Sequence, residues 1–389
     1  MPTASQRFNF VNKYFRSLLG IKKYQQKDAY ETAKNSDLWL LVSYGRSERS
    51  FETSGGEIAR NTDIEIKNFN DVGIRGDTLD VAAPKYEKIY KNPLGIFISA
   101  TGETPETVDP LDDMASYLEE NKNSRWKTLL VTQTPKSKAG KIIEEIGDRG
   151  LILEIKGSEN LHSMRYSEYG IQRDRAEFAN MWFWQGVGKA IVENARHERI
   201  TEYIEQRLPL IGEKIDEWVE ADSETDCFGS CTDNLLSHSN VFVAGRRGGR
   251  AVARLLTKRL GQVKQALGDD AYFFGGENTP NPRPGDLAFL ISKSGAMKNY
   301  YSKKSSKKPT ILELAEKSKK AKMTVYSFVG TGGSPLENIS DFATVFNSSP
   351  QLGCSDTYPS IATLQGVIPI VVAERARIRP EELRKRHGF

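Results

Sequence analysis

Two hydroxyl-rich stretches carry residue types at a spacing suited to holding an anion. In the first, Ile96-Phe97-Ile98 runs into Ser99-Ala100-Thr101-Gly102-Glu103-Thr104-Pro105. Ser99, Thr101 and Thr104 offer short donors, Gly102 lets the backbone approach closely, and the helix-forming residues beyond add the positive end of a helix. A phosphate dianion needs such a ring of donors. The same residues also suit a plain helix cap, with Thr104 at N-cap and Pro105 at N1. The second stretch, Leu287-Ala288-Phe289-Leu290-Ile291-Ser292-Lys293-Ser294-Gly295, places its glycine 193 residues after Gly102. A recurrence at that period implies two similar domains.

The copies are unequal. Where the first continues Glu103-Thr104, the second continues Ala296-Met297, losing an acceptor and a donor, so the first is the better ligand site. Lys293 and Lys298 can supply charge there, or can be solvated surface lysines. A third glycine-bearing turn, Gly245-Arg246-Arg247-Gly248-Gly249, follows a strand but has the order G-x-x-G-G, with no acidic strand end about 20 residues later. No nicotinamide and no other cofactor is expected. Cys227 and Cys231 lack the further Cys or His cluster of a zinc site, so no metal is expected either.

These loops need a scaffold. Leu38-Trp39-Leu40-Leu41-Val42-Ser43 is continuously apolar, as befits a parallel strand buried on both faces, and it ends at Tyr44-Gly45-Arg46-Ser47. Residues 63–66, 96–98, 128–132 and 151–155 read as strands, and 110–120 and 141–146 as helices. That rhythm predicts a doubly wound α/β layer. Residues 10–30 read as an amphipathic helix, and 173–219 as two or more helices with an internal break at Pro209. The acidic run 217–226 reads as a solvated linker. The second half then repeats strand (240–244), helix (251–260) and strand (287–292), with further helix and strand in 319–328 and 342–346. The expected division of the 389 residues is a first domain at 1–165, a helical bridge and linker at 166–225, and a second domain at 226–389.

Composition narrows the function classes. With 38% hydrophobic and 27% charged residues and no apolar run of spanning length, no membrane partner is expected. The start, Met1-Pro2-Thr3-Ala4-Ser5, lacks the apolar core of a secretory signal, which points to the cytoplasm. Fifty-five basic against fifty-one acidic residues leave +4, too little to imply nucleic acid. The basic patch Lys303, Lys304, Lys307 and Lys308 reads as solvated surface.

The stretch Gly285-Asp286 through Ile291-Ser292-Lys293-Ser294-Gly295, then Leu314-Ala315-Glu316-Lys317, Ser334-Pro335-Leu336 and Asp341-Phe342-Ala343, resembles a sugar isomerase (SIS) domain. The second half is most similar to 6-phospho-3-hexuloisomerases, through Gly276-Glu277-Asn278-Thr279-Pro280 and the tail Pro380-Glu381-Glu382-Leu383-Arg384-Lys385-Arg386-His387. The first half resembles another SIS domain, through Gly45-Arg46-Ser47 and residues 99–104, which keep the pattern Ser-x-Ser-Gly-Glu-Thr except for Thr101. The layout is similar to the isomerase portion of glucosamine-6-phosphate synthase. The resemblance covers about 350 residues and implies two flavodoxin-like three-layer domains, a phosphorylated sugar as ligand and a homodimer. It implies phosphate contacts from Gly45, Arg46, Ser47, Ser99, Thr101, Gly102, Thr104, Ser292, Ser294 and Gly295.

An aldose–ketose isomerase moves a proton between adjacent carbons with a base, and polarises the carbonyl with an acid. The resemblance makes Glu277 the first base candidate, Glu103 the second, and His387 a candidate acid. Glu277 also fits a plain turn residue, and His387 an exposed tail. The chain departs from the hexuloisomerase pattern at Gly245-Arg246-Arg247-Gly248-Gly249, where Gly-x-Gly-Arg-Ser-Gly is usual, and at Gly353-Cys354-Ser355-Asp356-Thr357, which lacks a glutamate. The alternatives to an isomerase are a non-catalytic phosphosugar sensor or structural protein and, more remotely, an amino-sugar-phosphate deaminase.

Overall fold

The structure is a computed structural model that describes residues 23–69, 78–155, 171–220, 227–246, 248–274, 279–295 and 309–345. Beyond 345 it describes 368–369, 372–373, 375–379 and 382–383. The chain forms two compact units, one built from Val11–Ser163 with Ile171–Leu208 and the other from Pro209–Phe389 with two short earlier pieces.

The first unit runs α1 (Lys23–Lys34), β1 (Leu38–Ser43), α2 (Gly45–Asn61), β2 (Glu65–Asn68), α3 (Leu79–Glu87), β3 (Pro93–Ile98) and α4 (Pro105–Glu120). It continues with β4 (Lys127–Thr132), α5 (Lys138–Ile146), β5 (Gly150–Glu154) and α6 (Ile171–Val192), followed by the start of α7 (Glu198–Glu220). Its five strands are all parallel, in the order β2-β1-β3-β4-β5. Every residue of β1 and β3 is buried, the result expected of an apolar run without alternation. Leu38, Leu40 and Val42 face a cluster that includes Leu79, Val108, Leu111, Met114 and Trp126 from α3, α4 and the approach to β4. Trp39 belongs to the opposite face, where its ring meets Phe51 of α2 and Trp184 of α6. Between those helices Asn180 Nδ2 donates to Ser50 Oγ at 2.9 Å, and Trp184 Nε1 donates to Asn180 Oδ1 at 2.9 Å. This buried polar chain fixes α2 over the sheet.

The second unit carries α8 (Cys227–Ser237), β6 (Asn240–Gly245), α9 (Gly248–Ala266), β7 (Asp270–Phe273), β8 (Leu287–Ser292), α10 (Ile311–Lys320), β9 (Thr324–Val329), α11 (Pro335–Ile339) and β10 (Phe342–Val345). Its parallel sheet has the order β7-β6-β8-β9-β10, the same as in the first unit. The core gathers Phe242, Ala288, Leu290, Leu314 and Val325. In both sheets the second strand pairs on one side of the first, and the third strand pairs on the other. The connections therefore diverge at the carboxyl ends of β1 and β3, and of β6 and β8, leaving a crevice at each switch point.

Two expectations are corrected. Pro209 does not break its helix, since α7 is continuous from Glu198 to Glu220 with Pro209 inside. A mid-helix proline forfeits one backbone hydrogen bond, and here that loss falls where the chain passes from one compact unit to the other. The helix expected at 110–120 begins at Pro105, whose ring suits N1, and Thr107, Val108 and Leu111 bury its first turns despite Pro110.

Candidate functional site

The first crevice is bounded by the turn after β1 and the loop after β3. Register places Ser43 opposite Ile98, and Ser43 Oγ donates to Ile98 O at 3.0 Å, so the two strand ends are tied together. Gly45 opens α2, with Arg46 and Ser47 in its first turn and Tyr44 exposed just before it. Across from them, Ser99 is buried, and its Oγ accepts the Gly102 N–H at 3.0 Å. The same oxygen shares a hydrogen with Thr104 Oγ1 at 3.0 Å, while Thr101 Oγ1 accepts the Glu103 N–H at 3.3 Å. The three hydroxyls expected from the sequence thus converge on one loop, together with the amides of Gly102 and Glu103.

The cap reading of these residues is resolved by geometry. Thr104 stands at the N-cap position of α4 with Pro105 at N1, but its side chain makes no cap hydrogen bond. Its hydroxyl pairs with Ser99 instead. The positive end of a 16-residue helix, without a side-chain cap, therefore stands beside a cluster of rotatable hydroxyls, an arrangement suited to a phosphate.

The loop is braced from the next βα unit. Gly102 has φ +66°, and its carbonyl accepts the Ala139 N–H of α5 at 3.1 Å. Ser137, the N-cap of α5, lies directly beneath, so that a Cβ on Gly102 would fall 1.9 Å from Ser137 Oγ. Glu103 is exposed, and its Oε1 accepts the Lys138 N–H at 2.9 Å, satisfying the first N–H of α5. Ser137 and this use of Glu103 were not legible in the loop sequence. The repeat held the signal, since Ser137 and Ser334 each follow the end of the fourth strand of their sheet by five residues.

The second crevice reproduces the frame. Ser292 Oγ accepts the Gly295 N–H at 3.1 Å, and Gly295 has φ +57°. Its carbonyl accepts the Leu336 N–H at 3.0 Å, and a Cβ there would lie 2.0 Å from Ser334 Oγ. One element differs for a physical reason. The residue after Gly295 is Ala296 rather than glutamate, and N1 of α11 is Pro335, which has no N–H to satisfy. The next described helix, α10, is closed by its own capping box between Thr310 and Glu313. Ser294 is exposed at this loop.

Glu277 and His387 lie outside the described residues, as does Arg247. Glu48, which sequence reasoning passed over, is buried in the first turn of α2. It accepts from Asn68 Nδ2 and pairs with Arg49 at 3.0 Å, tying β2 to the crevice wall. Among the described residues no group of His, Cys, Asp and Glu is arranged to hold a metal ion. No described helix is long and apolar enough to cross a membrane.

Comparison with solved structures adds the fold's relatives. The C-terminal domain of glucosamine-fructose-6-phosphate aminotransferase from Francisella tularensis matches over 93% of this chain and 93% of its own, with a TM-score of 0.57 at 12% identity. Tagatose-6-phosphate ketose/aldose isomerase from Escherichia coli matches over 98% and 95%, with a TM-score of 0.59 at 11% identity. The chain has the double SIS fold. A candidate phosphosugar isomerase from Silicibacter pomeroyi DSS-3 gives a TM-score of 0.61 at 12% identity, covering 97% of this chain and all of the other. No protein-family model matches the chain, and no curated protein sequence matches it. At these identities the double SIS likeness is one of architecture, with each crevice at the switch point of its own sheet.

Proposed function

We propose that the first crevice binds a phosphorylated sugar through its phosphate, and that the protein is a cofactor-independent aldose–ketose isomerase. The observation that carries the binding half is the Ser99–Thr104 hydroxyl pair at 3.0 Å, held at the switch point and unused for capping. On ligand entry the hydroxyls of Ser99, Thr101 and Thr104 rotate to the phosphate oxygens, the amides of Gly102 and Glu103 follow, and the start of α4 supplies its positive end. Gly45, Arg46 and Ser47 border the sugar from the β1 side.

For the chemical half, Glu277 is the first base, taking the proton from the carbon next to the carbonyl and returning it to the neighbouring carbon through an enediol. His387 moves the hydroxyl proton. A homodimer belongs to this reading, with the tail bearing His387 completing a neighbour's site. One observation favours a second reading, a phosphosugar sensor without turnover: Glu103 is committed to the Lys138 N–H.

The test combines binding and conversion. Full-length protein is screened by thermal shift against phosphorylated hexoses, pentoses and amino sugars, and a stabilising ligand is followed by NMR. Ser99→Ala and Thr104→Val should each weaken binding about tenfold, the loss of one charge-assisted hydrogen bond. Conversion abolished in Glu277→Gln supports the isomerase, and binding without conversion supports the sensor. No stabilisation by any phosphosugar overturns both.

A further inference from the structure

One hydroxyl in the first turn of α4 is buried with nothing to bond. Thr107 is 0% exposed, and its Oγ1 has no hydrogen-bond partner among the described residues. Thr53 and Thr257 show how a helical threonine of this protein can settle its hydroxyl. Each donates to the carbonyl four residues back, Thr53 to Arg49 O at 2.9 Å and Thr257 to Ala253 O at 2.7 Å. For Thr107 the fourth residue back is Glu103, which precedes the helix, and no such bond forms. The nearer carbonyl, Thr104 O, already accepts the Thr107 and Val108 N–H groups at 2.9 Å each. A buried hydroxyl left unpaired destabilises the state that holds it, so a second state in which it is paired is favoured by the difference.

The position of Thr107 indicates what that second state is. With Thr104 at N-cap, Thr107 is N3, and these are the two positions whose side chains meet across the first turn in a capping box. A hydroxyl has one hydrogen and two acceptor sites. In the ligand-free loop one hydrogen lies between Thr104 Oγ1 and Ser99 Oγ at 3.0 Å. Once both residues turn their hydrogens onto phosphate oxygens, that mutual bond is given up and Thr104 Oγ1 gains a free acceptor site. We propose that Thr107 is a positioning residue of the first crevice, whose O–H donates to Thr104 Oγ1 when Thr104 has turned to the phosphate. This rests on the first crevice holding a phosphoryl group. Thr107 itself touches no ligand. It fixes the orientation of Thr104 and strengthens it as a donor, because a hydroxyl that accepts a hydrogen bond polarises its own O–H.

The test titrates full-length protein with inorganic phosphate by calorimetry, the first-crevice site being the one that Ser99→Ala weakens. Thr107→Val keeps the branched shape without the hydroxyl and should weaken phosphate about fivefold to tenfold, the loss of one hydrogen bond. Thr107→Ser should bring the affinity back to within about twofold of wild type. In a Thr104→Val background Thr107→Val should add no further loss, because the group through which it acts is gone. Ligand-free Thr107→Val should melt at or above the wild-type temperature, since an unpaired buried hydroxyl has been exchanged for a methyl group. The proposal is overturned by unchanged phosphate affinity in Thr107→Val, or by an equal loss in the Thr104→Val background. A ligand-free Thr107→Val protein that melts clearly lower also overturns it, by showing that the hydroxyl is paired without ligand. Each of these leaves the first crevice standing as a phosphate site. Wild-type protein that binds no phosphate, or binds it indifferently to Ser99→Ala, removes that reading and this proposal with it.

Discussion

A methyl group at Gly102 would meet Ser137 Oγ at 1.9 Å and Ser137 Cβ at 2.6 Å, in a backbone with φ +66°. Ser137 is buried and short, so the clash moves the start of α5 rather than a flexible side chain. Gly102→Ala is expected to cost roughly 3 kcal/mol by denaturant unfolding, from overpacking plus left-handed strain. Gly333 supplies the control. Its φ is +70° with nothing within 4 Å of a Cβ, so Gly333→Ala should cost only about 1 kcal/mol. A second residue-scale expectation concerns Glu103. Glu103→Ala exposes the Lys138 N–H and should cost about 1 kcal/mol, as the loss of a cap does. Adding Lys138→Pro should recover most of it by removing the donor. Ser137, at φ −69° and ψ 176°, already has the backbone that a following proline requires. Failure of the double variant to recover would show that Glu103 acts there in another way.

At the scale of elements, single polar side chains tie helix ends to the sheets. Lys264 of α9 is fully buried, and its Nζ donates to Leu235 O at 3.1 Å, His238 O at 2.7 Å and Asp269 Oδ2 at 2.9 Å. All three ammonium donors are used, two of them on carbonyls at the carboxyl end of α8. Lys264→Met leaves those carbonyls and the carboxylate unpaired and should cost about 3 kcal/mol in chemical denaturation. Glu87, at the end of α3, accepts from Tyr117 Oη at 2.7 Å, Ser124 Oγ at 2.7 Å and the Arg125 N–H at 2.6 Å, fastening the entry to β4. Burial opposes its ionisation, but these hydrogen bonds outweigh burial and hold its carboxyl below the ordinary range. Burial, and then the Glu87 carboxylate, push the Tyr117 phenol up to about 12. Because the folded-state value of Glu87 is depressed, its contribution is complete above the unfolded value of about 4.3 and fades as pH falls through the lower folded value. Glu87→Gln should therefore be less stable than wild type by about 1 kcal/mol at pH 7, after allowance for screening, with the gap closing near pH 3.

At the scale of the whole molecule, the two units have separate sheets and separate core clusters. A change in one core should therefore act within its own unit. In native-state hydrogen exchange, Lys264→Met is expected to lower protection in β6, β8 and β9 and leave β1, β3 and β4 unchanged, whereas Gly102→Ala should do the reverse. Loss of protection in both sheets from either change would show that the units open as one. A ligand of the first crevice should, by the same reasoning, protect the amides of residues 99–107 and 137–141 first.

Much of this architecture was written locally. Runs such as 38–43 and 287–292 are apolar without alternation, and only a strand covered on both faces accepts that pattern. The recurrence of a hydroxyl-and-glycine loop after 193 residues implied the duplicated unit and placed a loop at the end of β3 and of β8, because strand and loop are contiguous in the chain. Pro105 marked its helix start correctly, whereas Pro209 was less informative, since a helix's tolerance of an internal proline depends on the packing of its other residues. What the chain could not specify locally is which partner each polar group takes. Thr104 is a sound helix cap by sequence but pairs with Ser99, and Glu103 is a plausible base by sequence but meets an N–H 35 residues further along. The first choice is made within the loop itself, and the second was decided when β4 and α5 came to lie beside β3. Hydrogen bonds form with whatever donor the packed neighbour presents, and the neighbour's identity is a property of the sheet order, not of the loop.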